Sequence, residues 1–524
     1  MTLGDFLIQN AARHRDVVAY KLGDRSVTHG ELYERAVRLS SALAARGVRR
    51  QDRIAVLSRN SVEFGEIVAT AYLSGIILAP INFRSSPQEM SDALRRVRPT
   101  FVFVSDEYVP LMAQIAPQLA GLDPVWVSIG GSAAGMIDYH LLLDGGDAEV
   151  PGCVAQPGDI AALIFTSGTT GASKCCILGQ RELRRVVLTM NAEMASGCLD
   201  RVLINMPMFH VGALGIICGI HARGGTVILQ EQFDVPEAVR LVEEECITVL
   251  HVAPVMLRAL LDEISDPAAV ASVSTVVYSA APMSISTLKL AMLKMPAAGF
   301  VNLYGQTEVV VSGLPRELHT SSAGDRLSSV GYPFADTRVR IVAEDGTDVP
   351  AGTPGEIVVQ TDSMFRGYWD DHAASLSTLR DGWCHTGDIG RFDDAGLLYL
   401  VDRKKDVIIT GGENVYSPEV EDAMRTVRGV AECAVVGLPD DRWGEVVCAV
   451  VVPSAGVVPQ LADIQTAVRS VLAGYKAPRR LVLLPALPLL ASGKVDKKRL
   501  RIELARTGGR PMSQTLSSNE VDDL

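Results

Sequence analysis

The sequence predicts an α/β protein: a large N-terminal domain of doubly wound sheets with a small β-rich lobe, followed by a small α+β C-terminal domain. Three observations carry that prediction. Apolar runs of strand length alternate with helical patterns from about 26 to 330, as parallel strands covered on both faces do. From 337 to about 402 the pattern shifts to short alternating strands broken by turns such as EDG and PAGTPG. Beyond 405 helices and strands mix on a smaller scale, and 524 residues exceed what one core can serve.

Along the chain, Thr28-His29-Gly30-Glu31 forms a capping box, a hydroxyl three residues before a carboxylate. Leu32, Ala36, Leu39 and Leu43 then share one helical face, and Gly47 ends the helix. IAVL (54–57) and IILAPI (76–81) read as buried strands flanking another helix. The alternation resumes with TVIL (226–229), a helix from Pro236, ITVL (247–250) and a helix after Pro254. TVVY (275–278), a helix after Met283 and FVNL (300–303) complete it. In the C-terminal part a helix is expected near 418–427, strands at 433–437 and 446–452, and a helix at 461–472. The polar end TGGRPMSQTLSSNEVDDL has the composition of a disordered tail.

A formal charge of −12, from 49 basic and 61 acidic residues, argues against a nucleic-acid or anionic-membrane partner. The nine cysteines form no C-x-x-C pair and no metal-binding spacing, as reduced thiols of a cytoplasmic protein would. MTLGDFLIQN lacks the basic region and long apolar stretch of a signal peptide. The run LVLLPALPLLA (481–491) is short and broken by prolines, so no membrane span is expected. Oligomeric state is not legible, and a homodimer is one arrangement open to the chain.

The segment FTSGTTGASKCC (165–176) follows the apolar run AALI and suggests a phosphate cradle. A Walker loop needs G-x4-G-K-[ST]. Here Gly168 and Gly171 are three apart, Lys174 follows three later, and Cys175 occupies the place of the metal-binding hydroxyl, so that identity fails. Glycines that let backbone N–H groups converge, hydroxyl donors and a lysine still suit an anion. Taken alone, a polar turn between a strand and a helix explains the segment equally well.

Further motifs decide between these. VNLYGQTEVV (301–310), CHTGDIGRF (384–392), VDRKKDVIITGGENVYSPEVE (401–421) and ASGKVDKKRLR (491–501) follow TSGTTGASK in that order. Together the five resemble the adenylate-forming superfamily of acyl-CoA synthetases, peptide-synthetase adenylation domains and firefly luciferase. The resemblance spans essentially the whole chain. It implies an N-terminal domain over 1–404, a mobile C-terminal domain over 405–505 and a tail over 506–524, with the site at the domain junction. The implied activity is that of an AMP-forming acid–CoA ligase using ATP, Mg²⁺ and coenzyme A, or of a stand-alone adenylation enzyme loading a carrier-protein thiol. A carboxylate is a poor electrophile, and ATP converts it into an acyl-AMP that a thiol can open; positioning and charge neutralisation supply most of such catalysis.

By that resemblance Thr166, Ser167, Gly168, Thr169, Thr170, Gly171 and Lys174 wrap the departing β- and γ-phosphates. Ala280, Ala281, Pro282, Asn302, Tyr304, Gly305 and Gln306 surround the nucleotide, Tyr304 offering adenine a stacking face. Thr307 donates to the α-phosphate, and Glu308, with Thr170, supplies hard oxygen for Mg²⁺. Asp388 accepts from the ribose hydroxyls and Arg403 adds a ribose or phosphate contact. Lys494 is the expected catalytic cation between carboxylate and α-phosphate, although Lys497, Lys498, Arg499 and Arg501 nearby could equally make it part of a solvated basic face. Lys405 matches the hinge, and Gly411, Gly412 and Glu413 the pantetheine channel, where paired glycines let backbone approach a narrow ligand.

Several positions depart from the family pattern. Ser173 stands for a proline and Cys175 for a glycine; were Cys175 held at positive φ, the strain would be roughly 1–2 kcal/mol. Gly179-Gln180 replaces a usual Ser-His, and Leu-Leu-Ala precedes SGK in place of Arg-Thr-x. The acyl pocket is expected from His210, Val211, Gly212, Tyr278, Ala280, Val309 and Gly313. MFHVGALG, VVYSAAPM and VVVSG contain no arginine, lysine or aspartate, so an uncharged body, fatty or aromatic, suits them. His210 reads equally as a pocket wall or as a hydrogen-bonded core histidine.

Overall fold

The structure is a computed structural model that describes residues 1–149, 151–166, 173–440, 442–490 and 494–506. The chain divides into two compact units. The first comprises Met1–Arg340, Val358–Thr386 and Gly396–Leu398; the second comprises Ile341–Ile357, Gly387–Ala395 and the chain from Tyr399. The β-rich segment expected between 337 and 402 is thus shared out between them, and the strand Trp383–Phe392 passes from one to the other after Thr386.

Two sheets build the first unit. In the nine-stranded sheet, six neighbours are parallel: Gly299–Gly305, Thr275–Tyr278, Val249–Val252, Arg201–Ile204, Thr226–Leu229 and Val18–Leu22. The seven-stranded sheet has the parallel series Ile137–Asp138, Val125–Ile129, Phe101–Ser105, Arg53–Leu57, Ile77–Pro80 and Ile160–Thr166, closed by antiparallel Lys174–Gly179. Strands such as Thr226–Leu229 and Thr275–Tyr278 are buried at every residue, which is why they are unbroken apolar runs. Every residue of the helix Val62–Ser74 is buried as well, and its Glu66 is held by Arg35 at 2.7 and 3.0 Å and by the Tyr139 hydroxyl at 2.5 Å.

The expected elements are present with small displacements. Thr28 and Glu31 form both halves of the capping box on His29–Ala45. The strand expected at 247–250 lies two residues later, at Val249–Val252. Cys246 turns the chain at φ 48°, and Ile247 and Thr248 bond back to Val242 and Arg201, so the ladder starts beyond them. That shift places His251 inside a strand.

In the second unit the order is Glu413–Val415, Ile408–Thr410, Gly444–Pro453, Val430–Asp440, with Arg480–Leu483 also paired to Gly444–Pro453. Alternation along Val430–Asp440 sends Cys433 and Val435 to a core shared with the helices Ser417–Met424 and Leu461–Val471. Ala434, Val436 and Leu438 face a second core closed by Leu500 and Leu504 of the helix Lys497–Arg506. Arg506, expected to open the tail, is that helix's last residue; the rest of the tail lies outside the described residues. Among the described residues no helix is long and apolar enough to cross a membrane.

Candidate active site

In the first unit the phosphate-loop segment joins two antiparallel strands, with Thr166 opposite Lys174 and the Thr166 hydroxyl 3.4 Å from the Lys174 carbonyl. Ser167, Gly168, Thr169, Thr170 and Gly171 lie outside the described residues. Cys175 is an ordinary strand residue opposite Phe165, so the strain considered for it does not arise. The left-handed residue at this site is Ala280, at φ 72° on the turn after Thr275–Tyr278, a conformation expensive for a side chain with a Cβ. Gln180, one of the departures from the family pattern, is buried and bonds to the Leu3 amide and the Tyr72 carbonyl, a structural tie.

The GQTE segment is a tight connection between Gly299–Gly305 and Val310–Leu314. Gly305 has no room for a Cβ, which would stand 2.8 Å from the Val309 carbonyl, and the Gln306 amide bonds that same carbonyl at 2.7 Å. The Gln306 side chain donates to the Thr386 carbonyl at 2.9 Å, tying the segment to the strand that leads to Asp388. Tyr304 and Asn302 are buried at the strand end; the Asn302 amide nitrogen is 3.4 Å from the Tyr278 carbonyl, and its oxygen has no partner.

Glu308 meets a residue that sequence reasoning did not select. The Tyr368 hydroxyl donates to Glu308 Oε1 at 2.7 Å, and the same ring lies under Lys174, whose Nζ is 4.6 Å from its centroid. Burial and the Glu308 carboxylate raise the Tyr368 pKa, so the phenol stays a donor. Backbone bonds fix the arrangement: Phe365 N to Glu308 O at 2.8 Å, Ile177 N to Gly367 O at 2.9 Å and Trp369 N to Cys175 O at 2.8 Å. One tyrosine therefore gives a cation its π face and a carboxylate its hydroxyl, and the two need not collapse onto each other. Burial holds the Cys175 thiol up at about 12 and raises that of Cys176 well above the ordinary thiol range, so neither is a nucleophile.

His210 caps the helix Val211–Arg223 without a side-chain capping bond and packs on Phe209. The Tyr278 hydroxyl is committed to His319 Nε2 at 3.0 Å in the core, and Val309 is buried. At Gly313 an added Cβ would stand 2.9 Å from a ring carbon of Phe334, so only glycine fits there. Gly212 is different: beyond its own helix, the one atom of the described residues within 4 Å of an added Cβ belongs to His251.

The second unit gathers another set. Asp388 is buried and its Oδ1 is 2.6 Å from Arg403 Nε. Crowding by protein lowers the Lys494 pKa, with Arg403 and Lys405 adding to the effect and Asp388 opposing it, although the residue as a whole is exposed. Desolvation likewise lowers Lys405. The neighbouring basic residues separate from Lys494: Lys497 pairs with Glu421 at 2.7 Å, Arg499 with Glu503 at 2.7 Å and Arg501 with Asp406 at 2.8 Å. The Lys497 and Arg501 pairs tie the C-terminal helix to the rest of the unit, the Arg499 pair lies within that helix, and Lys494 stands before it. Gly411 and Gly412, at φ 61° and 86°, form the two-residue turn of a hairpin in which Thr410 faces Glu413.

Comparison with known proteins places the chain in a family. Residues 7–369 match the AMP-binding enzyme family and 419–494 the AMP-binding enzyme C-terminal domain. A feruloyl-CoA synthase from Amycolatopsis is 33% identical over 95% of this chain and 98% of its own. A fatty acid–[acyl-carrier-protein] ligase, ScoC of Streptomyces coeruleorubidus, is 32% identical over 91% of each. The crystal structure of ATP-bound MatB from Rhodopseudomonas palustris superimposes with a TM-score of 0.87 at 26% identity, covering 97% of this chain and 100% of that one. The chain belongs to the AMP-binding enzyme family, within the adenylate-forming superfamily. It is an AMP-forming acid–thiol ligase that activates a carboxylic acid as its acyl-AMP and passes the acyl group to coenzyme A.

Proposed function

We propose that the acid is uncharged beyond its carboxylate, fatty or aromatic, and that both half-reactions use the residues described above. In the first, a carboxylate oxygen attacks the α-phosphorus and pyrophosphate leaves. Lys174 and the loop before it hold the departing phosphates, Asp388 and Arg403 hold the ribose, and Lys494 neutralises charge where the new bond forms. In the second, the coenzyme A thiol loses its proton, attacks the acyl carbon and releases AMP. Glu308 suits a divalent ion as a hard oxygen ligand, and among the described residues no group of three or more side chains could hold one. Mg²⁺ would then take its remaining ligands from the ATP phosphates and water, and would supply charge neutralisation at the phosphates.

The observation that carries this reading is the grouping of Lys494 with the Asp388–Arg403 pair, which sets an ammonium with no ion-pair partner among the described residues near the carboxylate assigned to the ribose. We place the functional boundary at 404/405, with Lys405 as hinge and Gly411, Gly412 and Glu413 along the pantetheine path. Water must be excluded from the anhydride in both steps, and a rotation about the hinge would meet that need. Nine unpaired cysteines support a cytoplasmic location; a homodimer is tested by light scattering.

Acid-dependent ATP–pyrophosphate exchange over fatty, benzoic and cinnamic acids tests the reading; no exchange with any of them overturns it. ScoC, at nearly the same identity, favours a second thiol acceptor, a phosphopantetheinyl carrier protein. AMP release with free coenzyme A against a loaded carrier separates the two.

A further inference from the structure

The room in front of Gly212 has one polar wall. His251 is buried, with 2% of its surface exposed, and its Nε2 lies 3.0 Å from the Ser279 hydroxyl. Its other nitrogen, Nδ1, is buried with no hydrogen-bond partner among the described residues. A Cβ built on Gly212 would meet a single atom within 4 Å, His251 Cε1 at 3.8 Å. Cε1 sits between the two ring nitrogens, so the nitrogen-bearing edge of the imidazole borders that space. Strand register agrees. Val252, Tyr278 and Asn302 pair across three strands and share one face, whereas His251 pairs with Val277 on the other, the side of Ser279. A buried, unpaired ring nitrogen is costly, and a ligand atom that satisfies it is rewarded accordingly.

We propose that His251, backed by Ser279, reads a neutral hydroxyl group on the body of the acid, so that hydroxylated acids are preferred to their unsubstituted parents. This rests on the acid-activating reading above and narrows its substrate class. Burial pulls the His251 pKa down to about 4, so the ring is neutral near pH 7 and offers no charge to a second carboxylate. Which nitrogen carries the proton follows from Ser279. If the serine donates to Nε2, Nδ1 carries hydrogen and needs an acceptor; if Nε2 donates to the serine, Nδ1 is bare and needs a donor. A hydroxyl serves both tautomers, a ketone only the first, an N–H only the second.

The test uses the full chain and ATP–pyrophosphate exchange with one parent acid, its set of monohydroxy isomers and the matching keto acids. At least one hydroxy isomer is expected to exceed the parent in kcat/KM by about tenfold or more, because a site built around a hydroxyl is left unpaired by an acid lacking it. In His251→Leu that ratio is expected to fall to within about threefold, and in Ser279→Ala, which retains the ring, to an intermediate value. Should His251→Leu not fold, as judged by circular dichroism, the Ser279→Ala ratio decides alone. Equal use of parent and hydroxy acids by the unmodified protein, or a preference that survives these substitutions, overturns the inference. Failure to activate any acid overturns the underlying reading instead.

Discussion

The two units hold their reacting charges in opposite ways. In the first, the opposite charges of Lys174 and Glu308 are kept apart, each given a partner by Tyr368. In the second, Lys494, Arg403 and Lys405 gather near the Asp388 carboxylate, with the Arg501–Asp406 pair beside Lys405. The difference teaches what each region waits for. On the proposed reading, Lys174 and Glu308, held on a neutral tyrosine, would be released to phosphate and metal from that shared partner. The second region carries surplus positive charge, and a polyanionic nucleotide relieves it. One half is pre-organised by separation, the other by repulsion.

The largest effect is expected from removing the surplus charge. Lys494→Ala should lower acid-dependent ATP–pyrophosphate exchange by at least about a hundredfold, as loss of a transition-state charge partner does. Thioester formation from supplied acyl-AMP should stay within about threefold; equal loss in both half-reactions would break the assignment of Lys494 to the first step alone. Next comes the tyrosine. Tyr368→Phe keeps the ring under Lys174 but removes the bond to Glu308, and should weaken equilibrium binding of ATP about tenfold with Mg²⁺ present and much less without it. Tyr368→Leu should weaken ATP binding under both conditions. Calorimetry on the protein without acid measures both, and identical behaviour of the two variants would end the two-partner account.

A smaller effect sharpens the comparison through pH. Lys494 must be protonated to act, and crowding has lowered its pKa below the ordinary lysine value, so exchange should decline at alkaline pH earlier than a free lysine would dictate. Asp388 opposes that lowering. Asp388→Asn should therefore move the alkaline limb further toward neutral pH, in addition to any loss of ribose binding. A limb that stays in place would mean that Lys494 does not sense Asp388.

Much of this was legible one-dimensionally. The capping box at Thr28 and Glu31, the strands Thr226–Leu229 and Thr275–Tyr278, and the helix Leu461–Val471 depend on neighbours a few residues apart, and the reading found them where they lie. Glu308, Asp388, Arg403 and Lys494 stood out because each belongs to a motif whose order along the chain carries information. Tyr368 had no such signal: in FRGYWDD it is one aromatic among others, and its role comes from strands more than a hundred residues away in sequence folding onto its edge. His251 was hidden by a strand read two residues early.

The amino-acid sequence by itself determined the alternation of strands and helices, the family and the kind of reaction, since periodicity, caps and ordered motifs are local properties. Only tertiary structure decided which charges are paired and which stand ready. It sorted Lys494 from Lys497 and Arg501 by supplying Glu421 and Asp406 to those two. The physical reason is that an ion pair or an unpaired nitrogen is defined by distance in space, and distance along the chain does not encode it.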